Sequence, residues 1–392
     1  VKLRIIATGI VILSFMAFGQ MEVQNEEFNY TVEAAPEWDA LFKRYSGWFG
    51  GDGIFAIPRS GIDYQEVEDS TENMILFSDT MVGEIEEGEL KEGFTMVNNS
   101  IAYLQGKKPD EDNITFHVDQ DSEGKTTSLF PMKLDPIEED EYYWLGDGFV
   151  NPSNQNTYVF AYRVVNKPEY PVFGFDIIGG AIIKLHANDR FPFRRQEQME
   201  FPFFYPIKPQ VVGSYGAGIL VNTKSSRVPN PDGYIYVYGV RDPGKELLVC
   251  RVLPKKFENF KAWRFWNGKK WVSDHNAAVP LTTGVSNELS VSPLPNGKYV
   301  LIFTAGGVEP AVHMRVGESP LGPFGPVINI WDCSEAIEEP EFFAYNAKAH
   351  PSLSQPGELL ISYNVNSFKF WDQVRDYPNL YRPRFFKLKY EN

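Results

Sequence analysis

The sequence predicts an all-β protein, a five-bladed β-propeller, on three observations. Aromatics make up 15% of the 392 residues, with 20 Tyr, 30 Phe and 8 Trp, and aromatic side chains favour strands. The 32 Gly and 28 Pro cut the chain into short apolar runs, the punctuation of strand, turn and strand. An order of inner strand, turn and hairpin then recurs five times, and repeats of this kind mean stacked units. A two-sheet sandwich followed by a second β domain would leave that five-fold order unexplained.

Residues 1–19, VKLRIIATGIVILSFMAFG, read as a signal peptide: Lys2 and Arg4, an apolar run from Ile5 to Phe15, and Ala17-Phe18-Gly19 before the cut. The run is short for a membrane span, so a secreted or periplasmic protein is expected, with residues 20–392 as one domain. Losing Lys2 and Arg4 takes the formal charge from −15 to −17. So acidic a chain is a poor partner for nucleic acid or an anionic membrane. Cys250 and Cys333 are its two cysteines, and spacing alone leaves them paired or free. No Cys/His cluster has zinc spacing.

The best helix signal is APEWDALFKRYSG, 35–47, with Pro36 in the first turn, Lys43 and Arg44 late, and Gly47 as terminator. Inner strands follow at 50–58, 145–152, 214–222, 287–294 and 347–354. Second strands are expected at 73–80, 156–164, 233–240, 297–304 and 357–364, and third strands at 98–105, 180–187, 246–253, 311–318 and 382–390. Fourth strands are clearest at 263–272 and 325–332. The last unit lacks one, and residues 22–34 are expected to supply it.

The first two inner strands open on near-copies, WFGGDGIFAI (48–57) and YWLGDGFVNP (143–152). In a propeller, equivalent positions of the inner strands converge on one axial pocket. Asp52 and Asp147 are therefore expected at one mouth, joined by Glu288 from the fourth unit, by Lys348 and His350 from the fifth, and by Tyr215 from the third. Carboxylates facing an aromatic-lined cavity suit glycoside hydrolysis, in which one acid protonates the leaving oxygen and another attacks or activates water. Trp48, Trp144, Phe55 and Phe149 would offer stacking faces. Each position also has a structural reading: Gly-Asp-Gly can cap a turn, and His350 can hold a backbone carbonyl. Asp242, in Arg-Asp-Pro-Gly, reads as a hairpin turn and is left out of the site.

WFGGDGIFAIPRSG, then ILFSDTMVGE, then NNSIAY, resembles the opening of a family of exported five-bladed propellers patterned Gly-x-Asp-Gly, Gly-Asp-Thr and Arg-Asn-Ser. NELSVSPLPNGKYVLIFT and NAKAHPSLSQPGELLISYN resemble its closing blades. Some members are endo-D-arabinanases, and more distantly the pattern is similar to the arabinanase, invertase and levansucrase families. The resemblance implies Asp52 as base or nucleophile, Glu288 as acid, Asp147 as the modulating carboxylate and Asp79 as the Asp of Gly-Asp-Thr. Trp48, Asn99, Tyr215, Lys348 and His350 are the expected substrate contacts. Ser78 stands where the family has Gly, and Asn98 where it has Arg, so the substrate subsite differs.

The expected function is an exported glycoside hydrolase on a polysaccharide or oligosaccharide, arabinan-like and furanoside-containing. The rival from another class is a non-catalytic glycan-binding propeller. No cofactor or catalytic metal is expected, with room for a structural calcium in the central channel, and the protein is expected to be a monomer.

Overall fold

Strands are the dominant regular element among the described residues, and pairing rather than local propensity decides where they begin. The computed structural model describes residues 28–170, 174–208 and 211–391; the expected signal peptide and residues 22–27 lie outside the described residues. Two α-helices are described, Pro36–Leu41 and Phe370–Gln373, both short.

Among the described residues six antiparallel sheets have four to six strands; one joins Ser46–Gly51, Thr80–Glu86, Glu89–Leu90 and Thr95–Val97, and the other five follow one another along the chain. The first runs Phe55–Pro58, Glu72–Phe77, Ser100–Gln105, Ile114–His117. The second runs Tyr142–Val150, Thr157–Asn166, Phe175–Leu185, Glu197–Glu200. The third has six strands, from Tyr205–Lys208 and Val211–Asn222 out to a hairpin of Arg264–Trp266 and Trp271–Val272. The fourth spans Ser290–Pro293 to Ile328–Asp332. The fifth orders Phe342–Ala349, Glu358–Ser367 and Pro383–Tyr390, and Tyr30–Ala34 from the start of the chain adds to its outer edge, Tyr30 opposite Tyr390.

Apolar layers fill the gaps between these sheets in cyclic order. Phe55, Ile57 and Leu76 of the first sheet pack on Tyr143, Val159 and Ile183 of the second. Phe149 and Phe160 meet Ile219, Val237 and Trp263; Tyr238 and Val249 meet Val291 and Leu301; Ile302 and Met314 meet Ile361 and Phe386. Leu360 and Phe385 of the fifth sheet pack with Ile75, Phe77 and Leu104 of the first. Each sheet is apolar on both faces, which is why its strands read as continuous apolar runs rather than alternating ones.

Four expectations need correction. The inner strand expected at 347–354 runs Phe342–Ala349, with a 3-10 turn at Pro351–Leu353, and the fourth strand expected at 263–272 is a hairpin of Arg264–Trp266 and Trp271–Val272. The helix over 35–47 stops at Leu41, because Ser46–Gly51 is taken up as a strand against Thr80–Glu84, and Gly47 lies inside it at φ +69°. Tertiary pairing overrides helix propensity here. The inner strand expected at 50–58 is also two strands, Ser46–Gly51 and Phe55–Pro58, which pair with Thr80–Glu86 and Glu72–Phe77 respectively. The interruption falls at Asp52 on one side and Ser78-Asp79 on the other. Comparable register shifts interrupt the inner strands of the second, third and fifth sheets, between Leu145 and Gly148, Tyr215 and Gly218, and Tyr345 and Lys348. Such bulges bend a strand and re-aim its side chains.

Candidate active site

Asp52 and Asp79 sit side by side in the gap of the divided first sheet. The Asp52 amide donates to the Asp79 carbonyl at 3.2 Å, and the Ser78 amide donates to the Asp52 carbonyl at 2.8 Å. Gly53 makes the turn possible. Its φ is +66°, and a Cβ there would lie 2.8 Å from Ser78 Oγ. Ser78 Oγ in turn donates to the Leu145 carbonyl at 3.1 Å and accepts from the Leu145 amide at 2.9 Å. The first sheet is thereby latched to the second at the level of the two acids.

The partners of the two carboxylates differ in kind. Asp52 accepts from the Tyr345 hydroxyl at 2.8 Å and from Tyr381, with the Lys348 ammonium close by. Burial pushes Asp52 up, and these three partners pull it back. Asp79 accepts from Trp144 Nε1 at 2.9 Å and Asn98 Nδ2 at 3.3 Å, both neutral donors. Burial, followed by the charge of Asp52, pushes it up to about 7. In such a pair the group with the cation and the hydroxyls ionises first, and the other keeps the proton.

Glu288 is 13% exposed, ion-paired with Lys348, and accepts from Asn346 Nδ2 at 3.0 Å. Burial raises it to about 7 against the pull of Lys348. The Lys348 ammonium also lies 4.2 Å from the centre of the Phe55 ring. Tyr162, buried beside Glu288 and Asp147, has its hydroxyl pushed above its ordinary value by burial and then by those charges. Asp52, Asp79, Glu288, Lys348, Tyr345 and Tyr381 thus form one connected group drawn from the first, fourth and fifth sheets and the 368–382 connection.

Asp147 reaches that group through the Lys348 charge, which lowers its pKa, but its hydrogen bonds go elsewhere. Its oxygens accept from the Gly148 amide and, across to the third sheet, from the Ile219 amide, both at 2.7 Å. Burial, then the neighbouring Asp63, raises it to about 8. Asp63 accepts from the Ser352 amide at 3.1 Å, and burial raises it to about 6. Asp63, Asp147, Lys348 and His350 border a cavity of about 40 Å³ lined by the inner strands of all five sheets. That holds about three waters. Asp63 and Asp147 are held by backbone amides, the Lys348 ammonium is near, and among the described residues no group of three or more His, Cys, Asp or Glu could hold a metal ion. The set does not fit a calcium ion.

Several expected contacts have structural roles instead. Trp48, 4% exposed, is stacked on Phe116 with centroids 4.5 Å apart and lies 4.9 Å from Phe77. Asn99 is fully buried, accepting from the Phe130 amide at 2.7 Å and donating to the Tyr143 carbonyl at 3.2 Å. Tyr215 packs in the layer between the second and third sheets, its hydroxyl 3.3 Å from that of Tyr205. All three are taken up by sheet-to-sheet packing and hydrogen bonds within the fold. Phe55 and Phe149 are likewise buried. His350 Nε2 is 2.7 Å from Ser362 Oγ, and burial followed by the charge of Lys348 drops its pKa to about 3. Its imidazole is therefore neutral near pH 7, at the border of the cavity. Cys250 and Cys333 are both free and buried.

Tyr345, Tyr381 and Asp63 were not singled out by sequence reasoning. Tyr345 had a usable signal, since it flanks the bulge of its inner strand as Asp147 does in the second sheet. Tyr381 and Asp63 lie in connections with no counterpart in the other repeats.

A family model described as a domain of unknown function (DUF5005) matches residues 36–390. No curated protein matches the chain. Among solved structures, a protein from Bacteroides ovatus ATCC 8483, named provisionally as a hydrolase, superposes with a TM-score of 0.70 at 18% identity, over 91% of this chain and 90% of that one. At that identity the likeness is one of fold. An exo-beta-1,3-galactanase from Phanerochaete chrysosporium gives 0.47 at 10% identity, over 91% and 64% of the two chains. An alpha-L-arabinofuranosidase from Clostridium thermocellum ATCC 27405 gives 0.42 at 12%, over 79% and 82%.

Proposed function

We propose that this chain, which belongs to the DUF5005 family over residues 36–390, is an exported five-bladed β-propeller that hydrolyses glycosidic bonds, acting on an arabinan-like, furanoside-containing glycan. The five-bladed reading rests on the five sheets and the cyclic order of the apolar layers between them. The catalytic reading rests on one observation: Asp52 and Asp79 are neighbours held by different partners, Asp52 by two tyrosine hydroxyls with the Lys348 ammonium close by, Asp79 by neutral indole and amide donors alone. Asp79, carrying the proton, donates it to the leaving oxygen. Asp52, ionised and oriented by Tyr345 and Tyr381, attacks the anomeric carbon or takes a proton from the attacking water. Glu288, paired with Lys348, supplies fixed negative charge that favours a cationic, oxocarbenium-like transition state. A second reading keeps Glu288 as the acid, and its pKa of about 7 favours it.

A polysaccharide panel, arabinans included, identifies the substrate, and three variants then assign the roles. Asp52→Asn is expected to abolish turnover while affinity stays within about tenfold, because the amide keeps the shape of the acid. Asp79→Asn should slow substrates with poor leaving groups far more than aryl glycosides, whose leaving oxygen barely needs a proton. If Glu288→Gln shows that leaving-group dependence and Asp79→Asn does not, the acid is Glu288. Wild-type protein that binds oligosaccharide but cleaves nothing would make this a glycan-binding propeller.

A further inference from the structure

The two side-chain donors that reach Asp79 end on the same oxygen. Trp144 Nε1 lies 2.9 Å from Oδ1, and Asn98 Nδ2 lies 3.3 Å from that same atom. A carboxylate oxygen offers about two lone-pair positions, so both of those on Oδ1 are filled. Among the described residues no donor reaches Oδ2, and Asp79 is half-buried rather than sealed. A proton arriving on Asp79 therefore has one place to go, Oδ2.

The two donors are mounted on different sheets. Trp144 stands one residue before Leu145, and Ser78, one residue before Asp79, bonds through its hydroxyl to both the amide and the carbonyl of Leu145. That latch sets the indole beside the acid. Phe175 packs on the indole in a T-shaped contact, centroids 4.4 Å apart. Asn98 stands just before the third strand of the first sheet, and its amide donates to Ser128 Oγ at 2.9 Å. The titratable groups facing Asp79 are Asp52 beside it, Tyr142 from the second sheet and Tyr381 from the 368–382 connection. Burial holds both tyrosine hydroxyls above their ordinary value, so it is the two aspartates that titrate near neutral pH.

We propose that Trp144 and Asn98 are positioning residues that clamp Oδ1 of Asp79 and confine its proton to Oδ2, the oxygen left open to a substrate. The catalytic meaning of the clamp rests on the reading of Asp79 as the acid. In the transfer the Oδ2–H bond breaks and the proton goes to the glycosidic oxygen, which keeps the electron pair of its broken bond to the anomeric carbon. The negative charge left on the carboxylate is held by the same two donors. Both donors are uncharged, so they orient the acid without forcing it to ionise early, as a guanidinium would.

The clamp is read first without turnover. The Trp144 indole N–H resonance, one of eight from the tryptophans, is identified by its loss in Trp144→Phe. It should shift in a single step near pH 7 as Asp79 ionises, and stay flat in Asp79→Asn. An indole resonance that does not move with pH in the wild type overturns the clamp. Kinetics then test its role. Trp144→Phe keeps a ring against Phe175 but removes a donor that favours the anion, so the basic limb of kcat/KM should move up by about one pH unit. On substrates with poor leaving groups kcat should fall roughly tenfold or more as the carboxyl loses its alignment, with KM held within about twofold. Asn98→Leu should move the limb the same way by less, its hydrogen bond being the longer. A raised KM with an unmoved limb overturns the proposal and makes Trp144 a sugar contact. An indole that titrates in a protein that cleaves no polysaccharide on the panel sinks the hydrolase reading and leaves the clamp standing.

Discussion

Lys348 is shared among three carboxylates, lowering the pKa of Asp52, Glu288 and Asp147 at once. One ammonium cannot neutralise three buried anions, so protons must remain on some of them near neutral pH. That sets the expected pH dependence. Asp52 must be ionised, and burial raises its pKa from 3.8, so activity falls as pH drops into the acidic range. Asp79 must be protonated, with a pKa of about 7, so activity also falls as pH rises through that value. The profile of kcat/KM against pH should be a bell. A rate that climbs steadily to about pH 9 would remove Asp79 as the acid. Both acids were legible in the sequence, because Gly-Asp-Gly and Ser-Asp-Thr are local motifs. Tyr345 and Tyr381 were not, since they gain their role only when the fifth sheet and the 368–382 connection close over the first.

The bulges explain why strand positions were readable and the site's geometry was not. Apolar runs located the five repeats, but an inner strand is interrupted where its side chains must turn, and no run records that. Asn99 illustrates the gap. Its place in the Asn-Asn-Ser run suggested a sugar contact, yet it spans from its own strand to Phe130 and Tyr143. Asn99→Ala should therefore cost roughly 2–3 kcal/mol, the penalty for leaving a buried amide and carbonyl unpaired, read as a lower urea midpoint. Gly53→Ala should also destabilise, by about 1–2 kcal/mol, because its φ of +66° is strained for alanine and Ser78 stands in the way of a Cβ. Refolded Gly53→Ala with full stability would mean that the Asp52 turn can relax, and the rigid latch to Leu145 would be wrong.

Across the whole molecule, the buried acids set how stability varies with pH. Asp63, Asp79, Glu288 and Asp147 have folded pKa values of about 6, 7, 7 and 8, all above their ordinary 3.8 or 4.5. Between about pH 4 and 8 the folded chain holds protons that the unfolded chain has released. Their contribution is fully present below about pH 4 and lost as pH rises through about 8. The melting temperature should thus decline from about pH 5 to 9, and Asp147→Asn should flatten the upper part of that decline. A melting temperature that rises over the same interval would contradict the burial of these groups. The strand-rich class was the most legible property of all, because apolar runs survive when individual strand ends are misread. The pairing of Tyr30–Ala34 with Pro383–Tyr390 carries a further consequence. Contacts this distant in sequence slow folding, since a long loop must close before they contribute. The earliest described strand has no hydrogen-bonding mate until Pro383–Tyr390 has been made. Until then the edge that it will cover stays open, however complete the sheets between the two may be.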